Sequence, residues 1–204
     1  MQITSFKTIA TEAAGLYKEK GSKFLSFAYP VESEEEVKEK IEALKKQYFD
    51  ARHHCFAFML GADKKKFRAF DDGEPNHSAG DPILGQIRSR DITNVLVVVV
   101  RYFGGTKLGV GGLITAYKLA AADALDKAPV VEKEITKAIE VIYDYSSTPE
   151  VMKLVKDFDL IINKQSFEDK CSLDASVGVR NESALHEKLA LLKTLGHISH
   201  YTVN

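Results

Sequence analysis

Val95-Leu-Val-Val-Val-Val100, running straight into Arg101-Tyr-Phe-Gly-Gly-Thr-Lys-Leu-Gly-Val-Gly-Gly-Leu113, decides how the chain is read. Six consecutive apolar residues, five of them valine, favour an extended backbone. Odd and even positions are both apolar, so the strand has no wet side and belongs in the middle of a sheet covered on both faces. Past it, five glycines fall within nine positions, and Leu113, Tyr117, Ala120, Ala124 and Leu125 then recur at helical spacing. A buried strand, a glycine-rich turn and an alanine-rich helix able to approach a sheet closely make the centre of an α/β fold.

Working outward toward the N-terminus, Ser33 and Glu36 form a capping box for a helix over 33–48, with Val37, Ile41, Leu44 and Tyr48 on one face. Strands are predicted over 23–31, 53–60 and 67–70. Asp71-Asp72-Gly73-Glu74-Pro75 is turn chemistry, and a short helix should start at Asp81 or Pro82. In the other direction, composition shifts at Ala128-Pro129-Val130, which predicts one domain over 1–128 and a second over 129–204. In the second, Ile139, Val141, Tyr143 and Tyr145 alternate as a strand. Thr148-Pro149 reads as an N-cap followed by a first-turn proline. Strands over 160–167 and 171–179 follow, then a helix carrying Leu185, Leu189 and Leu192, ended by Gly196, and a last strand over 197–203. That order is β-α-β-β-α-β, the split-βαβ or ferredoxin-like arrangement.

The 204 residues carry 45% hydrophobic and 28% charged side chains, an ordinary globular balance. Two cysteines, Cys55 and Cys171, lie far apart and suit a reducing compartment. No basic-then-apolar leader is visible, and the longest apolar run is too short to span a bilayer, so a cytoplasmic protein without membrane association is expected. Net charge is −1, with 19 basic against 17 acidic residues over 1–128 and 9 against 12 beyond. Such a balance makes no global basic field, so any anion binding has to be local.

The glycine segment is the place for it. Glycine lets backbone N–H groups converge, the following helix adds a partial positive charge, and Arg101 and Lys107 can add full ones. Arg101, Gly104, Gly105, Lys107, Gly109, Gly111 and Gly112 are therefore the candidate anion- or nucleic-acid-binding residues. The competing reading is that the glycines only permit close packing. A Walker loop is excluded because Gly109 is followed by Val110 and Gly111, and the dinucleotide fingerprint fails on spacing. Asp71, Asp72 and Glu74 can hold Mg²⁺, cap the turn at Ser78, or pair with Arg101 and Lys107. With His53 and Ser78 they form the candidate supporting surface. A hydrolytic triad from Ser78, His53 and Asp71 lacks a nucleophile elbow. The His53-His54-Cys55 run lacks further ligands at zinc spacing. No metal, cofactor or catalytic residue is assigned.

Five segments together resemble the IMPACT family, in its bacterial YigZ-like branch. They are Gly21-Ser-Lys-Phe24, Ala51-Arg-His-His-Cys55, Asp71-Asp-Gly-Glu-Pro75, Ser78-Ala-Gly80, and Arg101-Tyr-Phe-Gly-Gly105 through Leu108-Gly109. The resemblance implies an N-terminal domain like ribosomal protein S5 domain 2, a sheet with helices packed on one face. It implies a C-terminal domain like the ferredoxin-like domains of elongation factor G (domains III and V). It also implies a role in translation, since eukaryotic relatives regulate it through a protein kinase pathway by competing for a partner protein; no catalytic residues come with it. Asn76-His77 and Asp81 depart from the family pattern, putting bulky or negative groups beside the proposed cradle. The expectation is a non-catalytic, translation-associated protein that binds RNA, the ribosome or a translation-regulatory protein. The alternative is a Mg²⁺-dependent enzyme acting on a phosphorylated metabolite or nucleotide.

Overall fold

The computed structural model describes residues 2–204. The chain is a mixed α/β protein with helices and antiparallel sheets, and it divides into two compact units. One is Phe6–Lys133; the other is Glu134–Asn204 with residues 2–5.

The larger unit runs β1 (Ser5–Ile9), β2 (Ala13–Glu19), β3 (Ser22–Pro30), α1 (Glu34–Gln47), β4 (His53–Leu60), β5 (Lys66–Phe70), α2 (Gly80–Ser89), β6 (Val95–Tyr102), α3 (Gly109–Lys127) and β7 (Val130–Glu134). Five strands form an antiparallel sheet in the order β2-β3-β6-β4-β5, with the valine strand β6 at its centre. Alternation along β6 feeds two cores. Val95, Val97 and Val99 pack with Ile83, Ile87 and Tyr117 from α2 and α3. Leu96, Val98 and Val100 pack with Val37 and Leu44 of α1. Helices therefore cover both faces, which corrects the expectation of helices on one. The reason lies in α1: its Val37–Leu44 stripe must be buried, and the β4–β6 face offers Phe56, Phe58 and Leu60. Ser33 caps α1 by accepting from the Glu36 amide, but the Glu36 carboxylate reaches back to Glu32 rather than to Ser33.

Four elements differ from the sequence reading. Gly109–Gly112 forms the first turn of α3 instead of a loop, and β1, β2 and β7 were not foreseen. β1 and β7 pair with each other from opposite ends of the unit.

The smaller unit runs β8 (Thr136–Tyr143), α4 (Thr148–Asp157), β9 (Ile161–Phe167), β10 (Cys171–Gly178), α5 (Glu182–Thr194) and β11 (Ile198–Val203). Its antiparallel sheet has the order β11-β8-β10-β9. Ile139, Val141 and Tyr143 meet Leu154 of α4 and Leu185 and Leu189 of α5 in one core. Tyr145 is not part of β8: it sits in a 3₁₀ turn and is 76% exposed. That turn also takes Thr148 into helical conformation, so its hydroxyl donates to the Tyr145 carbonyl instead of capping α4. No helix among the described residues is long and apolar enough to cross a membrane.

Candidate functional site

The segment 71–80 folds onto the ends of β4 and β6 through its own carboxylates. Asp71 accepts from the backbone amides of His77, Ala79 and Gly80, so it caps the approach to α2. Burial pushes its carboxyl up, but the three amide bonds outweigh that and hold it below its ordinary range. Asp72 accepts from the His54 amide at 2.7 Å, and the Asp72 carbonyl meets His53 Nδ1 at 2.9 Å. Ser78 is fully buried and donates to the Pro75 carbonyl at 2.6 Å. Asp72, Gly73 and His77 all adopt positive φ, which the carboxylate bonds hold in place.

Arg101 sits at the end of β6, opposite Phe24 of β3 and His53 of β4. One of its guanidinium nitrogens (Nη1) lies 2.6 Å from Glu74 Oε1, and the two side chains are only 7% and 4% exposed. Tyr117 of α3 donates to the same oxygen at 2.8 Å, and the Cys55 thiol contacts Tyr117 Oη at 3.3 Å. Burial pushes the Cys55 thiol and the Tyr117 hydroxyl far up, so neither ionises near neutrality. Burial likewise lowers His54, with Asp72 opposing.

Arg101 is thus not a solvent-facing charge of the glycine loop. It ends an apolar strand, where a guanidinium is tolerated only against a buried carboxylate, and Glu74 provides one. Asp71, Asp72 and Glu74 are all occupied by amides, Arg101 and Tyr117. Among the described residues no group of three His, Cys, Asp or Glu side chains is arranged to hold a metal ion.

The glycines divide by role. A Cβ on Gly104 would lie 1.9 Å from the Gly21 carbonyl carbon, so at this point the segment meets the β2–β3 turn backbone to backbone. The Gly104 amide donates to Ser22 Oγ. Gly105 and Gly109 take φ of +85° and +72°, conformations that a side chain resists. At Gly111 an added Cβ meets nothing within 4 Å, so packing does not account for this glycine. Gly112 approaches Leu108. The first turn of α3 has no side-chain cap and no acidic residue, and Gly105, Lys107, Gly109 and Gly111 around it are exposed. Its leading amides therefore face solvent without partners from the helix.

Sequence reasoning missed a groove on the α1 side of the sheet, of about 450 Å³, lined by Gly21, Lys23, Leu25, Tyr48, Tyr102 and Phe103. Tyr102 donates to Asp50 at 2.7 Å, and that bond, aided by burial, pushes its hydroxyl up to about 12. The alternation of Lys23-Phe-Leu25 was a signal for a two-faced strand. Its partner Tyr102 is 79 residues away, beyond any local pattern.

The Impact N-terminal domain family matches residues 20–125. The chain is 31% identical over 166 residues to IMPACT family member YvyE of Bacillus subtilis, covering 81% of this chain and 76% of that protein. It is 40% identical over 100 residues to IMPACT family member YigZ of Escherichia coli, covering 48% and 49%. A solved structure described as that of a hypothetical protein superposes with a TM-score of 0.72 at 26% identity, over 99% of this chain and 97% of the other. The chain belongs to the IMPACT family, in its YigZ-like branch.

Proposed function

We propose that this is a non-catalytic, translation-associated protein of the cytoplasm that binds RNA, free or on the ribosome, through the glycine-rich end of its larger unit. The observation that carries the reading is the N-terminus of α3: uncapped, free of acidic residues, exposed, and preceded by Lys107. Such a terminus stabilises anions through its amides and its dipole. Family membership supports the translational context, as the resemblance to regulators of translation implies. Within this reading the larger unit acts as an S5 domain 2-like module. The smaller unit, with its β-α-β-β-α-β order, is a ferredoxin-like partner akin to elongation factor G domains III and V. Arg101, Asp71, Asp72, Glu74, Ser78 and His53 brace the segment instead of touching the ligand. The Mg²⁺-dependent alternative draws no support from Asp71, Asp72 and Glu74, whose recorded bonds go to amides, Arg101 and Tyr117.

The test is co-sedimentation with ribosomes and with total RNA over a salt series, comparing wild type with Lys107→Glu. Binding should weaken with salt, and Lys107→Glu should reduce it while the melting temperature stays unchanged. Absence of sedimentation at every salt concentration overturns the RNA reading and favours a protein partner.

A further inference from the structure

Helix α1 covers the sheet over β4 and β6 and leaves the β2–β3 margin of that face partly open, with Leu16 44% exposed. In register across three strands on this face stand Lys18, Lys23 and Tyr102. Residues directly opposite in antiparallel pairs project to the same side, and like charges so placed repel. Among the described residues neither Lys18 nor Lys23 has a carboxylate within ion-pair distance. Two nearby acids are engaged elsewhere: Glu19 accepts from Tyr17, and Asp50 accepts from Tyr102. Beside this uncompensated positive pair lies the aromatic groove, with Tyr48 and Tyr102 half-buried and Phe103 55% exposed. The Asp50 bond fixes the edge of the Tyr102 ring.

Lysines without counterions beside an aromatic groove, whose Phe103 ring has the Glu74-paired Arg101 guanidinium 5.7 Å from its centroid, suit a ligand that joins phosphates to flat apolar groups. We infer that Lys18, Lys23, Tyr102 and Phe103 form a base-stacking subsite for single-stranded RNA, an inference that rests on the RNA reading above. A duplex keeps its bases stacked on one another and cannot offer their faces to Phe103 and Tyr102; a single strand can. A single phosphate would satisfy one lysine, whereas a strand supplies an anion for each. The α3 terminus then engages backbone, and this face engages bases.

The experiment measures affinities of the full chain for a twelve-nucleotide oligouridylate and for an abasic strand of the same length. Wild type should prefer the base-bearing strand. Phe103→Ala should weaken oligouridylate binding by about 5- to 150-fold, the usual range for one lost stack, and leave abasic binding unchanged. Lys18→Ala with Lys23→Ala should weaken both and flatten the log–log salt slope by about 1.4. Equal affinity of wild type for the two strands, or loss in Lys107→Glu but not in Phe103→Ala, overturns the subsite while leaving the RNA reading intact. No RNA binding by wild type, with binding to an acidic peptide lost in the lysine variant, overturns both. Thermal melts of each variant confirm that loss of binding is not loss of fold.

Discussion

Replacing Glu74 with alanine should be among the most damaging single changes in the larger unit. Glu74 is the sole carboxylate facing the Arg101 guanidinium among the described residues, at 2.6 Å, with both side chains over nine-tenths buried. Arg101 Nε already has no partner. Removing Glu74 leaves a buried cation with no countercharge and takes the acceptor from Tyr117. Breaking a buried pair in this way costs about 3–5 kcal/mol, a large part of the 5–15 kcal/mol that holds a typical domain. A double variant, Glu74→Leu with Arg101→Met, removes both charges and leaves chiefly the Tyr117 hydroxyl unsatisfied, which costs about 1–3 kcal/mol. The double should therefore be more stable than Glu74→Ala by about 2 kcal/mol. Urea denaturation followed by far-ultraviolet circular dichroism measures both, the affected transition being the one whose midpoint moves. A loss under about 1 kcal/mol in Glu74→Ala, or a double as unstable as the sum of its singles, would refute a buried, coupled pair.

Three further outcomes are expected. Asp71 has its carboxyl held below the ordinary value of 3.8, so its contribution is complete above that value and is lost as pH falls through the lower folded one. Asp71→Asn should cost about 1–3 kcal/mol at neutral pH and flatten the acid limb of a stability–pH curve. An unaltered acid limb would show that the amide bonds do not form. Gly104→Ala should strongly destabilise the fold, because its Cβ meets backbone at 1.9 Å, whereas Gly111→Ala should stabilise it by about 0.5–1 kcal/mol. Parallel melts decide this, and equal effects would contradict the division of roles among the glycines. Cys55 and Cys171 are both buried, and burial pushes the Cys55 thiol up. A chromogenic thiol reagent should titrate neither in the native protein and both in urea; rapid native reaction would contradict their burial.

Local signals carried far into this fold, and nonlocal ones did not. Ser33, the Val37–Leu44 stripe, the β4 run and the valine strand each announce themselves within a few residues, and the structure has an element at each. β1 and β7 escaped because each is short and finds its partner at the opposite end of the unit. The start of α3 was misread because three glycines disfavour helix locally, and the buried face from Leu113 to Leu125 overrides them. Within the candidate site, the bracing role of Asp71 was visible as turn chemistry. The burial of Arg101 was not, since Glu74 is 27 positions away and nothing local brings the two together. The groove depended on the β3–β6 register, which pairs Lys23 with Tyr102.

The contact between Gly104 and Gly21 has a bearing on kinetics. With no side chain between the two backbones, the glycine segment is seated directly on the β2–β3 turn. Gly104 at one end of the segment is thus tied to the sheet, and Leu113 at the other end is buried in the core. The amides at the start of α3 are already aimed before any anion arrives. Association should then proceed in a single concentration-dependent phase, with no slower isomerisation behind it, and its speed should follow the charge of the approaching partner.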